Sequence, residues 1–287
     1  MENPLKISIV TVAYNAKDTI EQTILSVLNQ NYPNTEYIIV DGGSTDGTVE
    51  IIKKYEKRLA YWVSEPDNGM YDALAKGFAH ITGDICAYIN SDDFYQFGAF
   101  SIINDIFSKH GEVKWLTGIA TVYNVDGNII SAETPFKYRQ NIIKKGGYNG
   151  VWFPFIQQES TFWRRELLEC VDYTVFKNLK LAGDYYLWKC FAEVANLDVI
   201  MVILSGFRKR KGQLSRANLK GYLKEQYGIC ENHLNIFDYF IGLIDGLQGR
   251  MSKWTNAKMF VYNIEEERWK RNMSIIERVK YYWNLLK

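Results

Sequence analysis

The run "KISIVTVAYNA" (residues 6–16) decides how the first half of the chain folds. Its β-branched and apolar residues predict a buried strand over 6–14. Apolar residues then recur at helical spacing from Ile20 to Leu28. The polar link between strand and helix contains no glycine, which disfavours a dinucleotide-binding fold, and no Walker A lysine motif is present. The chain therefore opens as an α/β domain of another kind.

The strand-helix alternation continues three more times before residue 112. Further strands are predicted at "EYIIVD" (36–41), "AYWVSE" (60–65) and "DICAYIN" (84–90), and helices at 49–55, 69–81 and 99–108. Alternation of this kind predicts a mainly parallel sheet flanked by helices, as in Rossmann-like α/β domains.

The pattern changes after residue 112. "VDGN" (125–128) predicts a β-hairpin, because Asp-Gly suits a tight turn between apolar runs. Helices are predicted at 164–171 and 183–195, a strand at 198–204, and helix from Arg216 onward. We therefore expect one domain over 1–215, with halves 1–112 and 113–215, followed by a helical C-terminal extension over 216–287.

Composition is that of a globular protein, with 47% hydrophobic residues and a formal net charge of +1. The charge is uneven, at roughly −7 over 1–120, +7 over 205–224 and +5 over 250–287. Two interpretations stay open: an acidic catalytic half opposite a basic tail, or basic residues that only solvate helix faces. No nucleic-acid partner is expected, and the oligomeric state is not determined.

Four cysteines are scattered along the chain without metal-site spacing, which favours a reducing compartment. No signal peptide is recognisable at the N-terminus, and no apolar stretch approaches the ~20 residues of a membrane span. These features predict a cytoplasmic protein, with the inner face of the membrane as an alternative location.

Polar side chains follow each of the four predicted strands. They are Tyr14 and Asn15, then Asp41, then Glu65 and Asp67, then Ser91, Asp92 and Asp93. Because ligands bind beyond the carboxyl ends of parallel strands, these positions predict one shared site. On its own "INSDDFY" (89–95) is typical of a strand-ending turn, whereas two adjacent carboxylates also suit Mg²⁺ and phosphate oxygens.

Seven segments together resemble the family-2 glycosyltransferases, which are inverting enzymes with the GT-A fold. They are "SIVTVAYNA" (8–16), "VDGGSTDGT" (40–48), "SEPDNGMYDALAKG" (64–77), "INSDDFY" (89–95), "QESTFWRR" (158–165), "LAGDYYLW" (181–188) and "FRKRKGQLS" (207–215). The resemblance covers about residues 5–220 and gives no signal beyond them. It implies transfer of a hexosyl or N-acetylhexosaminyl group from a nucleotide-sugar, UDP by default, to a saccharide or lipid-linked saccharide in bacterial polysaccharide or cell-envelope biosynthesis.

The resemblance also implies roles for individual residues. The nucleotide and donor sugar are expected at Thr11, Ala13, Tyr14, Asp41, Asp67, Gly69, Asp72, Ser91, Asp92 and Arg210. Asp93 matches the ligand of a divalent ion, Mn²⁺ or Mg²⁺, and Ser91 stands where many relatives carry a further carboxylate. An ion pair between Asp72 and Lys76 is the structural alternative for Asp72.

Asp184 in "LAGDYYLW" matches the general base that deprotonates the acceptor hydroxyl. A helix N-cap is the alternative. Glu159 and Trp152 are candidate acceptor contacts, although "YNGVWFPF" (148–155) is equally compatible with a core strand. Relatives often carry histidines near Gln158 and at Arg210, so Arg210 is a candidate replacement for part of the metal charge.

The basic, aromatic tail is compatible with a membrane-surface helix, a packed helical cap or an oligomer contact. Two rival functions remain. A non-catalytic nucleotide-sugar binding module would explain the departures at Ser91, Gln158 and Arg210. A sugar-phosphate nucleotidyltransferase would need a glycine-rich, basic signature after the first strand, and the chain has none.

Overall fold

The computed structural model describes residues 3–133, 137–151, 153–210, 218–250, 259–263 and 266–271. The strands are β1 (Ile7–Ala13), β2 (Thr35–Asp41), β3 (Tyr61–Ser64), β4 (Ile85–Asn90), β5 (Phe94–Tyr95), β6 (Trp115–Thr117), β7 (Ala120–Tyr123), β8 (Ile129–Glu133), β9 (Thr161–Arg164), β10 (Leu197–Ile200), β11 (Ser205–Arg208), β12 (Met259–Asn263) and β13 (Arg268–Arg271).

Helices cover the sheet and connect most of its strands. They are α1 (Ile20–Leu28), α2 (Thr48–Tyr55), α3 (Met70–Phe78), α4 (Ala99–Lys109), α5 (Gln140–Lys144), α6 (Tyr173–Phe176), α7 (Gly183–Val194), α8 (Leu219–Ile229) and α9 (Ile236–Arg250). Short 3-10 helices lie at Glu56–Arg58, Gln158–Ser160 and Arg165–Cys170. The predicted helix at 164–171 is thus a 3-10 helix.

Nine strands form the central sheet in the order β13-β12-β10-β6-β9-β4-β1-β2-β3. β1 pairs in parallel with both β2 and β4, and β2 with β3. β9 is antiparallel to its neighbours β4 and β6. The predicted α/β class with a large, mostly parallel sheet is therefore confirmed.

A second sheet has the order β5-β11-β7-β8. The predicted hairpin at "VDGN" is confirmed as the β7–β8 connection, where Gly127 takes a φ of +83°. β5 begins directly after Asp93 and pairs with β11. A Cβ at Gly206 of β11 would lie 2.5 Å from the Tyr123 ring, so the strand packs closely there. This sheet adjoins the carboxyl end of β4.

Large aromatic side chains fill the core around β9. The ring centroids of Trp163 and Trp188 are 6.0 Å apart, and Phe191 lies 5.5 Å from Trp163. All three are buried. Burial of each such side chain contributes roughly 1.5–3 kcal/mol, so α7 is held firmly against the sheet.

The C-terminal segment differs from the prediction of helix throughout 216–287. α8 and α9 lie where helix was predicted, but β12 and β13 follow them. β12 pairs in parallel with β10, as Val199 opposite Met259 shows. Met259 and Phe260, the first residues of "MFVYN", are buried in the sheet, whereas Tyr262 is 50% exposed. The central sheet therefore crosses the boundary expected near residue 216.

Candidate active site

The turns after β1, β2 and β3 meet at one edge of the sheet. A Cβ at Gly42 would lie 2.5 Å from Oδ2 of Asp67 and 3.4 Å from the Tyr14 ring. The Tyr14 side chain is 68% exposed. An exposed aromatic face beside a carboxylate is thus available to a planar ligand at this edge, as the sequence predicts.

Asp41, at the end of β2, holds the adjacent turn by hydrogen bonds. Its buried carboxylate accepts hydrogen bonds from the N–H groups of Gly43 (3.1 Å) and Ser44 (2.9 Å). The hydroxyls of Ser44 (2.5 Å) and Ser64 (2.6 Å) donate to it as well. Four donors occupy the carboxylate, so its structural role is to shape the turn between β2 and α2.

The side chains of Thr11 and Ala13 are buried and do not reach the exposed edge. The Thr11 side chain is fully buried, and its hydroxyl lies 3.0 Å from that of Tyr37. Ala13 is buried, and its carbonyl accepts the N–H of Gly42 at 2.9 Å. The pleat of β1 directs the Thr11 side chain into the core, so an expected donor contact at Thr11 and Ala13 would involve their backbone groups and stays a prediction.

The segment "PDNG" forms a tight turn that opens α3. Asp67 accepts the N–H of Gly69 at 2.7 Å, and Asp72 accepts the N–H of Asn68 at 3.0 Å. Gly69 has a φ of +118° and open space where a Cβ would point. Asp72 also lies 4.0 Å from Lys76. The predicted Asp67, Gly69 and Asp72 therefore share one turn at the edge.

Asp92 and Asp93 leave β4 in different environments. The Asp93 carboxylate is fully buried, Oδ1 accepts the N–H of Arg208 at 2.8 Å, and Oδ2 has no hydrogen-bond partner among the residues that the structure describes. Burial, followed by the charges of Glu159 and Asp92, holds the pKa of Asp93 well above its usual range. The Asp92 side chain keeps 14% of its surface exposed.

Two arginines of the β11 segment bracket this aspartate pair. Arg208 is buried; its Nε donates to the carbonyl of Asp92 at 2.8 Å, and its guanidinium lies 5.5 Å from the centre of the Phe94 ring. Nε of Arg210 donates to Oδ2 of Asp92 at 3.0 Å. Arg210 therefore lies beside Asp92. Its predicted role, to replace part of the metal charge, stays a prediction.

Glu159 joins the same cluster from the segment before β9. It is buried, and Nε2 of Gln157 donates to it at 2.5 Å. Gln157 is itself held by both backbone groups of Thr121, at 2.8 and 3.0 Å. Burial, then the charges of Asp92 and Asp184, raise the pKa of Glu159. Glu159 thus faces the aspartates, while its expected acceptor contact stays a prediction.

Asp184 lies in the first turn of α7, and burial raises the pKa of its half-buried carboxyl to about 6. It is the one acidic residue lining a pocket with otherwise apolar and aromatic walls. The other lining residues are Ile143, Tyr148, Phe155, Ile156, Tyr185, Trp188 and Tyr222. A single carboxylate in such a pocket suits a proton acceptor whose pKa must approach neutrality. The N-cap position of α7 is Ala182, so the capping alternative for Asp184 is not what the structure shows.

Two residues of α8 that carried no motif signal hold Asp184 in place. The Glu225 carboxylate accepts the N–H groups of Leu181 and Ala182, both at 2.7 Å, and also that of Lys180. Tyr222 directs its hydroxyl at the Asp184 carboxylate and lowers its pKa, against the effect of burial. In the sequence, Tyr222 and Glu225 are only an aromatic and an acidic residue three positions apart on a predicted helix. That spacing does not predict a contact with α7.

Contacts between α3 and the start of α7 bring the two halves of the site together. The Tyr71 hydroxyl donates to the carbonyl of Leu181 at 2.9 Å, and a Cβ at Gly183 would lie 2.4 Å from the Tyr71 ring. Nζ of Lys180 donates to the carbonyl of Asn68. The "PDNG" turn and Asp184 are therefore fixed relative to each other. Ser91 is half-buried at the same edge, and Trp152 lies outside the described residues.

This arrangement of strand-end turns, paired aspartates and a carboxylate on α7 agrees with the sequence comparison. The profile described as Glycosyl transferase family 2 matches residues 8–172, which is more than half of the chain. The chain belongs to this family. The match ends before Asp184, so the roles of the residues beyond it rest on the geometry.

Curated relatives include uncharacterised and named glycosyltransferases. One from Mycobacterium tuberculosis is 33% identical over 48% of this chain, which spans about half (54%) of that relative. The putative teichuronic acid biosynthesis glycosyltransferase TuaG of Bacillus subtilis is 42% identical over 31% of this chain and 37% of its own. WfgD of Escherichia coli, a UDP-Glc:alpha-D-GlcNAc-diphosphoundecaprenol beta-1,3-glucosyltransferase, is 23% identical over 88% of this chain and 98% of its own.

Solved structures with the same fold bind nucleotide-sugars. S. aureus TarS 1–349 in complex with UDP-GlcNAc superposes with a TM-score of 0.62, at 18% identity, over 87% of this chain and 73% of TarS. The mannosyltransferase PcManGT of Pyrobaculum calidifontis, with GDP-Man and Mn²⁺, gives 0.59 at 17% identity over 88% and 71%. The likeness confirms the GT-A-type fold.

Within the described parts of the chain, no helix is both long enough and apolar enough to span a bilayer. The four cysteines lie in these parts and form no disulfide.

We expect Glu225→Gln to destabilise the fold by about 1–2 kcal/mol, because the amide N–H₂ would oppose a backbone donor that the carboxylate now accepts. Thermal melting should fall by a few degrees. Glu231→Gln is the matched control, since Glu231 lies in an exposed ion pair with Lys189 and is 80% exposed. Equal melting temperatures for the two variants would contradict the anchoring role of Glu225.

Proposed function

We propose that this protein transfers a sugar from a nucleoside-diphosphate sugar, with UDP favoured, to a hydroxyl of a saccharide or lipid-linked saccharide, with inversion at the anomeric carbon. The observation that carries the proposal is the position of Asp184. Its carboxylate lines an aromatic pocket. Contacts between α3 and the start of α7 hold it beside the turns that follow the parallel strands.

The donor side would use the exposed edge of the sheet. Tyr14 offers a ring face to the base, and the "PDNG" turn offers Gly69 with open space above it. The Asp92 carboxylate, at the end of β4, is placed for ribose or donor-sugar hydroxyls. The TarS structure contains UDP-GlcNAc, and the name of WfgD gives UDP-Glc as its donor, so both support UDP as the nucleotide.

A divalent ion fits the aspartate pair. A buried carboxylate oxygen without a partner, as at Oδ2 of Asp93, calls for a proton or a cation. Mg²⁺ and Mn²⁺ prefer such oxygen ligands. No group of three or more acidic, histidine or cysteine side chains forms a metal cage within the described residues, so diphosphate oxygens would complete the shell. Asp93 would hold the ion, which would stabilise negative charge on the departing diphosphate.

Asp184 would accept the proton of the acceptor hydroxyl as that oxygen attacks the anomeric carbon. Burial raises its pKa to about 6, so the carboxylate is ionised at neutral pH yet is a stronger base than an exposed aspartate. The pocket walls exclude water from the attacking face, and Tyr222 and Glu225 hold the carboxylate in place. Arg210 adds positive charge near Asp92.

Asp184→Asn should reduce turnover by on the order of 10²–10⁴-fold while donor binding is retained, because the amide cannot accept the proton. Radiolabel transfer and donor titration by calorimetry would measure the two quantities. Asp172→Asn, at the exposed N-cap of α6, is the control and should leave transfer unchanged. Full activity of Asp184→Asn would refute the base assignment, and donor binding without any turnover by the wild-type enzyme would favour a binding module.

The rate should rise with pH through about pH 6, because the base is active only when Asp184 has lost its proton. Tyr222→Phe removes a hydrogen bond that lowers the pKa of Asp184, so the acidic limb of the rate profile should move to higher pH. Tyr227→Phe, an exposed tyrosine on the same helix, is the control. If the acidic limb does not move in Tyr222→Phe, the Tyr222 hydroxyl does not set the pKa of the base.

Asp93→Asn should weaken metal-supported donor binding by about tenfold or more, because an amide nitrogen would replace a carboxylate oxygen beside the ion. The isosteric amide still accepts the Arg208 N–H, so the fold should persist. Thermal shifts with a UDP-sugar, over a titration of Mn²⁺ and with EDTA, would measure the effect. A wild-type shift that survives EDTA would exclude the metal requirement.

A further inference from the structure

Helix α9 carries its acidic residues inward and its apolar residues outward. Asp238 and Asp245 are only 4% and 2% exposed. The opposite face is apolar and open: Ile236 is 85% exposed, Phe237 71%, Phe240 61%, Leu243 64% and Ile244 37%. We call these five residues the α9 face. A helix that packs its apolar stripe on a core has the reverse arrangement.

Buried ion pairs fix this orientation. Nζ of Lys145 lies 2.7 Å from Oδ2 of Asp238, and the guanidinium of Arg139 forms a two-point pair with Asp245. Rotating the helix to bury its phenylalanines would break both pairs and leave the partly buried cations Arg139 and Lys145 without their carboxylate partners, which is unfavourable. The exposure of the α9 face is therefore built into the fold.

The composition of the face selects the partner. It holds isoleucine, leucine and phenylalanine but no tryptophan, tyrosine or arginine, the residues that dominate protein–protein hot spots. Interfacial helices bury such stripes just below lipid headgroups and place lysines beside them. Lys220 and Lys224 are exposed on neighbouring α8, and the sequence over 250–287 sums to roughly +5. An anionic bilayer matches both features.

The inward side of α9, opposite the α9 face, packs near the Asp184 pocket. The rings of Phe153 and Tyr239 are 6.3 Å apart, and Phe153 fills the space where a Gly242 Cβ would lie. Phe155, two residues further, lines the pocket and is 41% exposed. An aromatic path thus links α9 to the position of the proposed acceptor.

We propose that the α9 face seats this chain on an anionic lipid bilayer, with the Asp184 pocket next to the headgroups, so that the acceptor is presented by a membrane lipid. The choice of acceptor rests on the function proposed above. Binding of the chain to the bilayer does not.

Vesicle flotation of the full chain tests the inference. Phosphatidylcholine vesicles with 30% phosphatidylglycerol, about a third anionic lipid, should carry the wild-type chain, and pure phosphatidylcholine should carry less. The double variant Phe237→Ser/Phe240→Ser should lose at least about tenfold in bound fraction. Phe97→Ser, which alters an equally exposed phenylalanine (78%) on the α4 side of the molecule, should bind as wild type. Donor binding should be unchanged in all variants.

Three outcomes would overturn the inference: wild type that does not float, a double variant that floats normally, or a double variant that turns a wild-type dimer into a monomer by light scattering without losing vesicle binding. The last result would assign the face to a second copy of the chain. Wild-type chain that binds vesicles but transfers no sugar would count against the proposed function and would leave the inferred bilayer contact unaffected.

Discussion

The antiparallel strand β9 is the constraint on which the site depends. It pairs with β4 on one side and β6 on the other, although both neighbours run the opposite way. Its first residue therefore lies at the carboxyl ends of the parallel strands, and the preceding segment 157–160 enters the ligand edge. Gln158 donates to the carbonyl of Tyr88, and the hydroxyls of Ser160 and Ser205 lie 2.6 Å apart. These bonds join β4, β9 and β11 where Glu159 faces Asp93.

Crowding of carboxylates at this edge has an electrostatic cost. Asp92, Asp93, Glu159 and Asp184 influence one another in a region of low dielectric, where like charges repel strongly. Arg208 and Arg210 offset part of that repulsion. Perturbed carboxylates of this kind are typical of functional sites rather than of structural cores. In the proposed function, the same charges would attract a cation and the hydroxyl donors of a nucleotide-sugar.

The C-terminal segment contributes more than its lack of motifs indicated. Glu225 closes the N-terminal end of α7, Tyr222 forms one wall of the pocket, and β12 extends the central sheet. Sequence reasoning assigned this segment a basic, aromatic and helical character; α8 and α9 are helical, but α9 carries two aspartates and is not basic. It could not find the contacts of Tyr222 and Glu225, because their partners lie some 40 residues away along the chain. Pairing across such distances is set by tertiary packing and leaves no local pattern.

Local patterns were sufficient for the first half of the molecule. β-branched and apolar runs and turn residues predicted β1 to β4 and the polar edge at their carboxyl ends, since parallel strands leave little choice of where a site can form. Asp184 was singled out by the family resemblance. Burial decided the rest: the Thr11 hydroxyl lies next to that of Tyr37, four donors bond the Asp41 carboxylate, and Oδ2 of Asp93 has no hydrogen-bond partner within the described residues. Whether a polar side chain is bonded, enclosed or exposed depends on neighbours from other strands, and that is a property of the folded chain alone.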